Sequence, residues 1–179
     1  NFIFSYAPDK DAAPRDPEKS YAAALRCARE CMVLLKNDGM LPLAKGSPLA
    51  VIGGAKTMRY QGSGSSKVTS SPKNDALAAI ERENGLPATY VSFEEGAEAA
   101  VKAARHCGRA LLFLGLPESF EAEGADRRHM RLPDTQLEIA EAVALAVPDC
   151  AVVLTCGAPV ELPFAEAVRS ILLTYLCGD

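Results

Sequence analysis

Short apolar runs separated by helical spacing constrain this chain more than any other feature. The stretch 49–52 (Leu-Ala-Val-Ile) is wholly apolar and closes on Gly53-Gly54, which suits a strand buried on both faces. Similar runs recur at 110–114, 151–154 and 171–175, with a weaker candidate at 89–93. Between them, apolar residues fall at helical intervals over 75–83, 94–106 and 135–147. Strand and helix alternate, so the expected fold class is α/β: a three-layer α/β/α arrangement around a mostly parallel sheet. At 179 residues the chain has the length of one domain.

The amino-terminal part reads differently. Residues 1–15 are rich in Pro, Asp and Ala without periodicity, the composition of a linker or an arm. Asp16-Pro17 then offers an N-cap followed by a proline at the first helical position. Leu25, Ala28, Met32 and Leu35 recur at helical spacing, predicting a helix over 17–36 that stops at Asn37-Asp38-Gly39, where glycine takes the left-handed conformation.

A formal net charge of −4 provides no basic field, so nucleic acid is not an expected partner. No stretch has the uninterrupted apolar length needed to span a bilayer, and the first six residues lack the basic flank of a signal peptide. Cys27, Cys31, Cys107, Cys150, Cys156 and Cys177 form no CxxC pair and no metal-ligand spacing. They are expected to be buried free thiols, which fits a reducing compartment such as the cytoplasm. Cys27 and Cys31 lie one helical turn apart, but with no nearby His or further Cys core packing is favoured over a shared metal.

In parallel sheets ligands gather at the carboxyl ends of the strands, which directs attention to the loops 53–73, 115–133 and 157–163. Gln61-Gly62-Ser63-Gly64-Ser65-Ser66-Lys67 has the Gly and Ser density of an anion cradle. It departs from G-x-x-x-x-G-K-[ST], so an ordinary surface loop, or a lining for a polar ligand or a neighbouring domain, stands beside that reading. The loop after 110–114 carries Glu118, Glu121, Glu123 and Asp126 within nine residues, beside Arg127, Arg128 and His129. Charge density alone describes a solvated surface. The place of the loop behind a buried strand makes one carboxyl a candidate acid that a neighbouring Arg could orient. Interleaved arginines disfavour a metal among these carboxylates. His129 is a candidate contact in the same site, whereas His106, near a helix end, complements the helix dipole. No G-x-S-x-G elbow is present.

Four ordered segments resemble the α/β domain that accompanies the catalytic barrel in family 3 glycoside hydrolases, the β-glucosidase and related exoglycosidase family. Residues 28–37 (ARECMVLLKN) followed by Leu41-Pro42-Leu43 are similar to the family's "ARESIVLLKN…LPL", with Cys31 and Met32 in place of Ser and Ile. Val51-Ile52-Gly53 and Gln61-Gly62-Ser63-Gly64-Ser65 resemble the strand and Q-G-x-G-S loop behind it. Residues 121–127 (EAEGADR), with Leu132-Pro133 and Gln136, resemble E-x-E-G-x-D-R…LP…Q, the most specific of the four. Val152-Val153-Leu154, Gly157-Ala158-Pro159-Val160 and 171–176 are similar to "VVVL…GSPVE…ILLAYLPGQ". The resemblance covers 21–179.

What the resemblance implies is a retaining glycosidase in which a barrel Asp attacks the anomeric carbon and a carboxylic acid on the second domain protonates the leaving oxygen. That acid maps to Glu123, with Glu121 as the fallback. Asp126 and Arg127 would hold the loop, and Glu118 and His129 would contact substrate or support the site. The partners implied are a terminal β-glucoside or β-xyloside and a barrel domain of the same parent chain, with no metal and no cofactor. The family's acetamido-sugar enzymes place their acid on the barrel, which disfavours an N-acetylglucosaminide. No segment here resembles the S-D-W strand end that carries the nucleophile, and the family continues where this chain reads Gly178-Asp179. The expectation is therefore a domain, at 16–179, that runs on beyond this chain and is inactive alone. A non-catalytic sugar- or interaction-binding module, and an anion- or nucleotide-binding domain using 62–67, are the alternatives.

Overall fold

A computed structural model of the protein describes residues 16–57, 61–67, 75–124 and 126–176. The linker or arm expected at 1–15 and the thiol of Cys177 lie outside these residues. The elements run in the order α1 (Pro17–Cys31), β1 (Val33–Asn37), β2 (Ala50–Gly53), α2 (Ala76–Asn84), β3 (Thr89–Val91), α3 (Gly96–Cys107), β4 (Arg109–Gly115), α4 (Asp134–Ala146), β5 (Asp149–Thr155) and β6 (Ser170–Leu173). The sheet order is β1-β6-β5-β4-β2-β3, parallel throughout except that β1 runs antiparallel to β6.

Alternation of side chains along the strands produces two covered faces. Ile52, Leu112, Leu114, Val152 and Leu154 point to one side, where Ala100, Ala104, Ile139, Ala140 and Val143 of α3 and α4 meet them. Val51, Leu111, Phe113, Ala151 and Val153 point to the other, against Leu77 of α2, Met40 and Leu49. The three-layer α/β/α class expected from the apolar runs is what these faces build. Helix ends follow local chemistry: Asp75 Oδ1 accepts from the Leu77 and Ala78 N–H groups to start α2, and Gly85 at φ 75° ends it. No helix among the described residues is long and apolar enough to cross a membrane.

The first helix departs from expectation. It does start at Asp16, whose carboxylate accepts from Glu18 and Lys19 N–H, but it ends at Cys31 rather than at residue 36. Met32 is extended, and Val33–Asn37 form the edge strand β1, pairing Leu34 with Leu172 and Asn37 with Ser170. Helical spacing through Leu35 lost to the ladder. A residue's intrinsic helix preference is worth under about 0.7 kcal/mol, whereas each ladder hydrogen bond contributes about 0.5–1.5 kcal/mol and Val-Leu-Leu suits a pleated surface. Asn37 organises the turn that follows by exchanging side-chain hydrogen bonds with both backbone groups of Leu41, at 2.8 and 3.1 Å, and it accepts from Ser170 Oγ at 2.7 Å. Gly39 is left-handed as expected, but it closes a strand and not a helix.

The cysteine expectation also needs correction. Cys150 and Cys156 are buried and Cys107 is half-buried, but Cys27 and Cys31 are exposed. Their helix has no buried residue among the described residues.

Candidate functional site

Strand β2 lies between β3 and β4, and its following helix α2 covers one face while α3 and α4 cover the other. The chain thus diverges from neighbouring strands β2 and β4 to opposite faces, the arrangement that opens a crevice at the carboxyl end of a parallel sheet. The glycine-serine loop leaves β2 here and the acidic loop leaves β4. A third loop leaves β5 at the same end.

Backbone clamps aim these loops. Gln136 is buried at the start of α4; its Oε1 accepts from Gly115 N–H and its Nε2 donates to Gly115 O, both at 2.9 Å. A Cβ at Gly115 would collide with Thr155 O, so only glycine lets β4 and β5 lie this close at their exits. Leu116 and Leu132, 2% and 1% exposed, pin the two ends of the acidic loop in the core.

Between those pins the loop is tied to both of its neighbours. Ser63 Oγ donates to Glu121 O at 2.5 Å, and Ser65 N–H donates to Glu123 Oε2 at 2.7 Å. Gly64, at φ 71°, approaches so closely that a Cβ there would stand 2.5 Å from both Glu123 Cβ and Oε2. On the other side, Gly157 N–H donates to Glu121 Oε1 at 2.9 Å and Arg127 Nη2 donates to Pro159 O at 2.9 Å. Arg127 Nη1 is buried without a hydrogen-bond partner among the described residues. Lys67 pairs with Glu118 at 3.2 Å, and both side chains are 58% exposed, so this pair adds little. His129 meets the Phe120 ring edge-on, with centroids 6.3 Å apart.

The result is an open depression of about 390 Å³ whose wall includes Ser63, Phe120, Glu121, Glu123, Asp126, Arg127, Gly157 and Leu176. Four of the residues singled out from sequence, Glu121, Glu123, Asp126 and Arg127, come together on it. Glu118 and His129 do not line it. The composition of Ser63, Gly64 and Ser65 left an anion cradle, a surface loop and a ligand or domain lining open, and the structure turns the Ser65 N–H towards the chain's own carboxylate. Gly157, Pro159 and Gln136 had no assigned part, because their role depends on loops being adjacent in space.

The Ser65 N–H and hydroxyl hold the Glu123 carboxyl below the usual carboxylate range, since hydrogen bonds to the anion favour it. Burial pushes the Cys156 thiol up to about 11, with the Glu121 charge adding to that shift and Arg127 opposing it. Among the described residues no group of three or more His, Cys, Asp or Glu side chains is placed to hold a metal ion.

Fold and loops together define a doubly wound α/β sandwich domain that presents carboxylates on a clamped loop at the carboxyl edge of its sheet. The chain belongs to glycosyl hydrolase family 3: the model of the Glycosyl hydrolase family 3 C-terminal domain matches residues 32–179. It is 40% identical to thermostable beta-glucosidase B of Acetivibrio thermocellus, an alignment that covers 95% of this chain and 24% of that protein. An exo-alpha-(1->6)-L-arabinopyranosidase of Bifidobacterium longum is 36% identical over 87% of this chain and 23% of its own length. The chain thus spans about a quarter of these curated relatives. Among solved structures, the GH3 beta-glucosidase of Bifidobacterium adolescentis superposes with a TM-score of 0.82 at 34% identity, over 95% of this chain and 27% of that one. A beta-glucosidase of Kluyveromyces marxianus, at 16% identity and TM-score 0.84 over 92% of this chain and 38% of that one, shares the fold.

Proposed function

We propose that residues 16–179 are the acid/base-bearing domain of a retaining β-glycosidase of β-glucosidase or β-xylosidase type, with 1–15 as a linker or arm. In this reading Glu123 is the proton donor and acceptor, and an Asp on a barrel domain of the same parent chain is the nucleophile. The observation that carries the proposal is the position of the Glu123 carboxylate. It is exposed, anchored on Ser65 N–H, and faces an open depression at the crevice between β2 and β4. The relatives' names as beta-glucosidases support the substrate class.

The chemistry needs Glu123 in both protonation states. Protonated, it donates to the glycosidic oxygen as the leaving group departs; ionised, it takes a proton from the water that attacks the glycosyl-enzyme. In this chain alone the carboxyl is exposed and hydrogen-bonded as an anion, which suits the second step. A barrel closing the depression would remove water from the carboxyl, and desolvation raises its proton affinity towards what the first step requires. This chain alone is accordingly an inactive half-site. Glu121, whose Oε1 accepts from Gly157 N–H on the same depression, is the fallback carboxylate. Arg127 braces the loop against Pro159 O, Asp126 stands exposed on the depression, and Glu118 and His129 are peripheral contacts for substrate or barrel.

The test is made in the full-length enzyme. Glu123→Gln is expected to lower kcat/KM on an alkyl β-glucoside by about 10²–10⁴-fold. An aryl glycoside with a good leaving group, which departs without a proton, should lose far less in the glycosylation step. Unchanged kinetics on both substrates would remove Glu123 from the mechanism.

A further inference from the structure

We propose that Gly64 and Ser65 are positioning residues for the Glu123 carboxylate. The turn closed by Lys67 N–H on Gly64 O directs the Ser65 N–H at Oε2, and the missing side chain at Gly64 leaves the space that the Glu123 side chain fills. This inference rests on the reading of Glu123 as the acid/base and assigns the glycine-serine loop a part in the same step.

Three observations on two loops converge here. The 2.7 Å bond from Ser65 fixes one carboxylate oxygen from a partner 58 residues away in sequence. The φ of 71° at Gly64 is a left-handed conformation, so a side chain there is strained by the backbone as well as obstructed by Glu123. Ser63, 9% exposed, donates its hydroxyl to the Glu121 carbonyl two residues earlier on the acidic loop, so the loops stay in register while the carboxylate is held. Glu123 itself makes no contribution to the core, and its direction depends on this contact. The loop has the composition of an anion cradle, and the anion it holds belongs to the chain.

Displacing Glu123 from Ser65 N–H removes a hydrogen bond that favours the ionised carboxyl, so its proton affinity rises. An acid that keeps its proton to higher pH moves the alkaline limb of the kcat/KM profile upward, a readout that loss of fold stability does not move.

In the full-length enzyme, Gly64→Ala is expected to lower kcat/KM on an alkyl β-glucoside about tenfold or more, and on a dinitrophenyl β-glucoside by less than about twofold. Its alkaline limb should move to higher pH. Ser65→Ala keeps the N–H and the backbone conformation but loses the hydroxyl, so it should shift the limb in the same direction with a smaller loss. Placed on a Glu123→Gln background, Gly64→Ala should cost little more, because the group it positions is already disabled. Equal losses on both substrates with an unmoved limb, or additive losses with Glu123→Gln, would overturn the proposal. If Glu123→Gln alone changes neither substrate, the acid/base reading has failed. The positioning claim is then decided by NMR titration of the Glu123 carboxyl in this chain: a rise in Gly64→Ala supports it, and an unmoved titration overturns it.

Discussion

At the scale of single residues, burial decides chemistry more firmly than residue type. Burial pushes the Cys150 and Cys156 thiols up to about 12 and about 11, so near neutral pH both are protonated and shielded. Cys27 and Cys31 are exposed on α1. Iodoacetamide at about pH 8 should therefore label Cys27 and Cys31 in the folded protein, and Cys150 and Cys156 only after denaturation, as read by peptide mass mapping. Equal labelling rates at Cys27 and Cys150 would contradict the packing. Sequence pattern does not separate these thiols, since α1 has apolar residues at helical spacing as the covered helices do, yet none of its residues is buried among the described residues. The partner of Glu123 was equally hidden. Its own segment carries a readable motif, but the N–H that holds it belongs to Ser65, on a loop that only the β2–β4 pairing brings alongside.

Elements were legible wherever both faces of a strand are buried. Strands β2, β4 and β5 lie within two residues of the apolar runs that predict them, because a continuous apolar run leaves little choice of face or extent. At the sheet's edge the prediction weakened. Residues 33–36 read as the end of a helix, as their spacing fits one and their partner β6 lies more than 130 residues further along. At the other end of β6, Tyr175 takes φ 55° and leaves the strand two residues early. What holds the site-bearing elements together is a different kind of contact. Gln136 on α4 saturates both backbone groups of Gly115 on β4, the residue from which the acidic loop departs. Gln136→Leu keeps the volume but orphans a part-buried N–H and a part-buried C=O. It should destabilise the fold by about 1–3 kcal/mol, seen as a lower denaturant midpoint. A midpoint equal to that of the parent chain would mean that water reaches Gly115 and that the clamp is dispensable.

On the scale of the whole molecule, the domain is a platform whose sheet carries three loops around an open depression at its carboxyl edge. The carboxylates line an open depression, and hydrogen bonds from Ser65 lower the proton affinity of Glu123. Under the proposed function, a barrel that covers the depression would desolvate the carboxyl and raise its proton affinity. The sequence carried the family through four ordered motifs. It carried the chemistry less far, since protonation state depends on hydrogen bonds and solvent that no motif records. The central claim is that Glu123 supplies and withdraws the proton in the full-length enzyme, and azide rescue tests it most directly. Glu123→Ala removes the base that activates water, so the glycosyl-enzyme formed from a dinitrophenyl glycoside should accumulate. Azide, a nucleophile that needs no base, should restore turnover and yield the glycosyl azide of retained configuration. No restoration by azide in Glu123→Ala, with restoration and glycosyl azide appearing in Glu121→Ala instead, would contradict the account and move the role to Glu121.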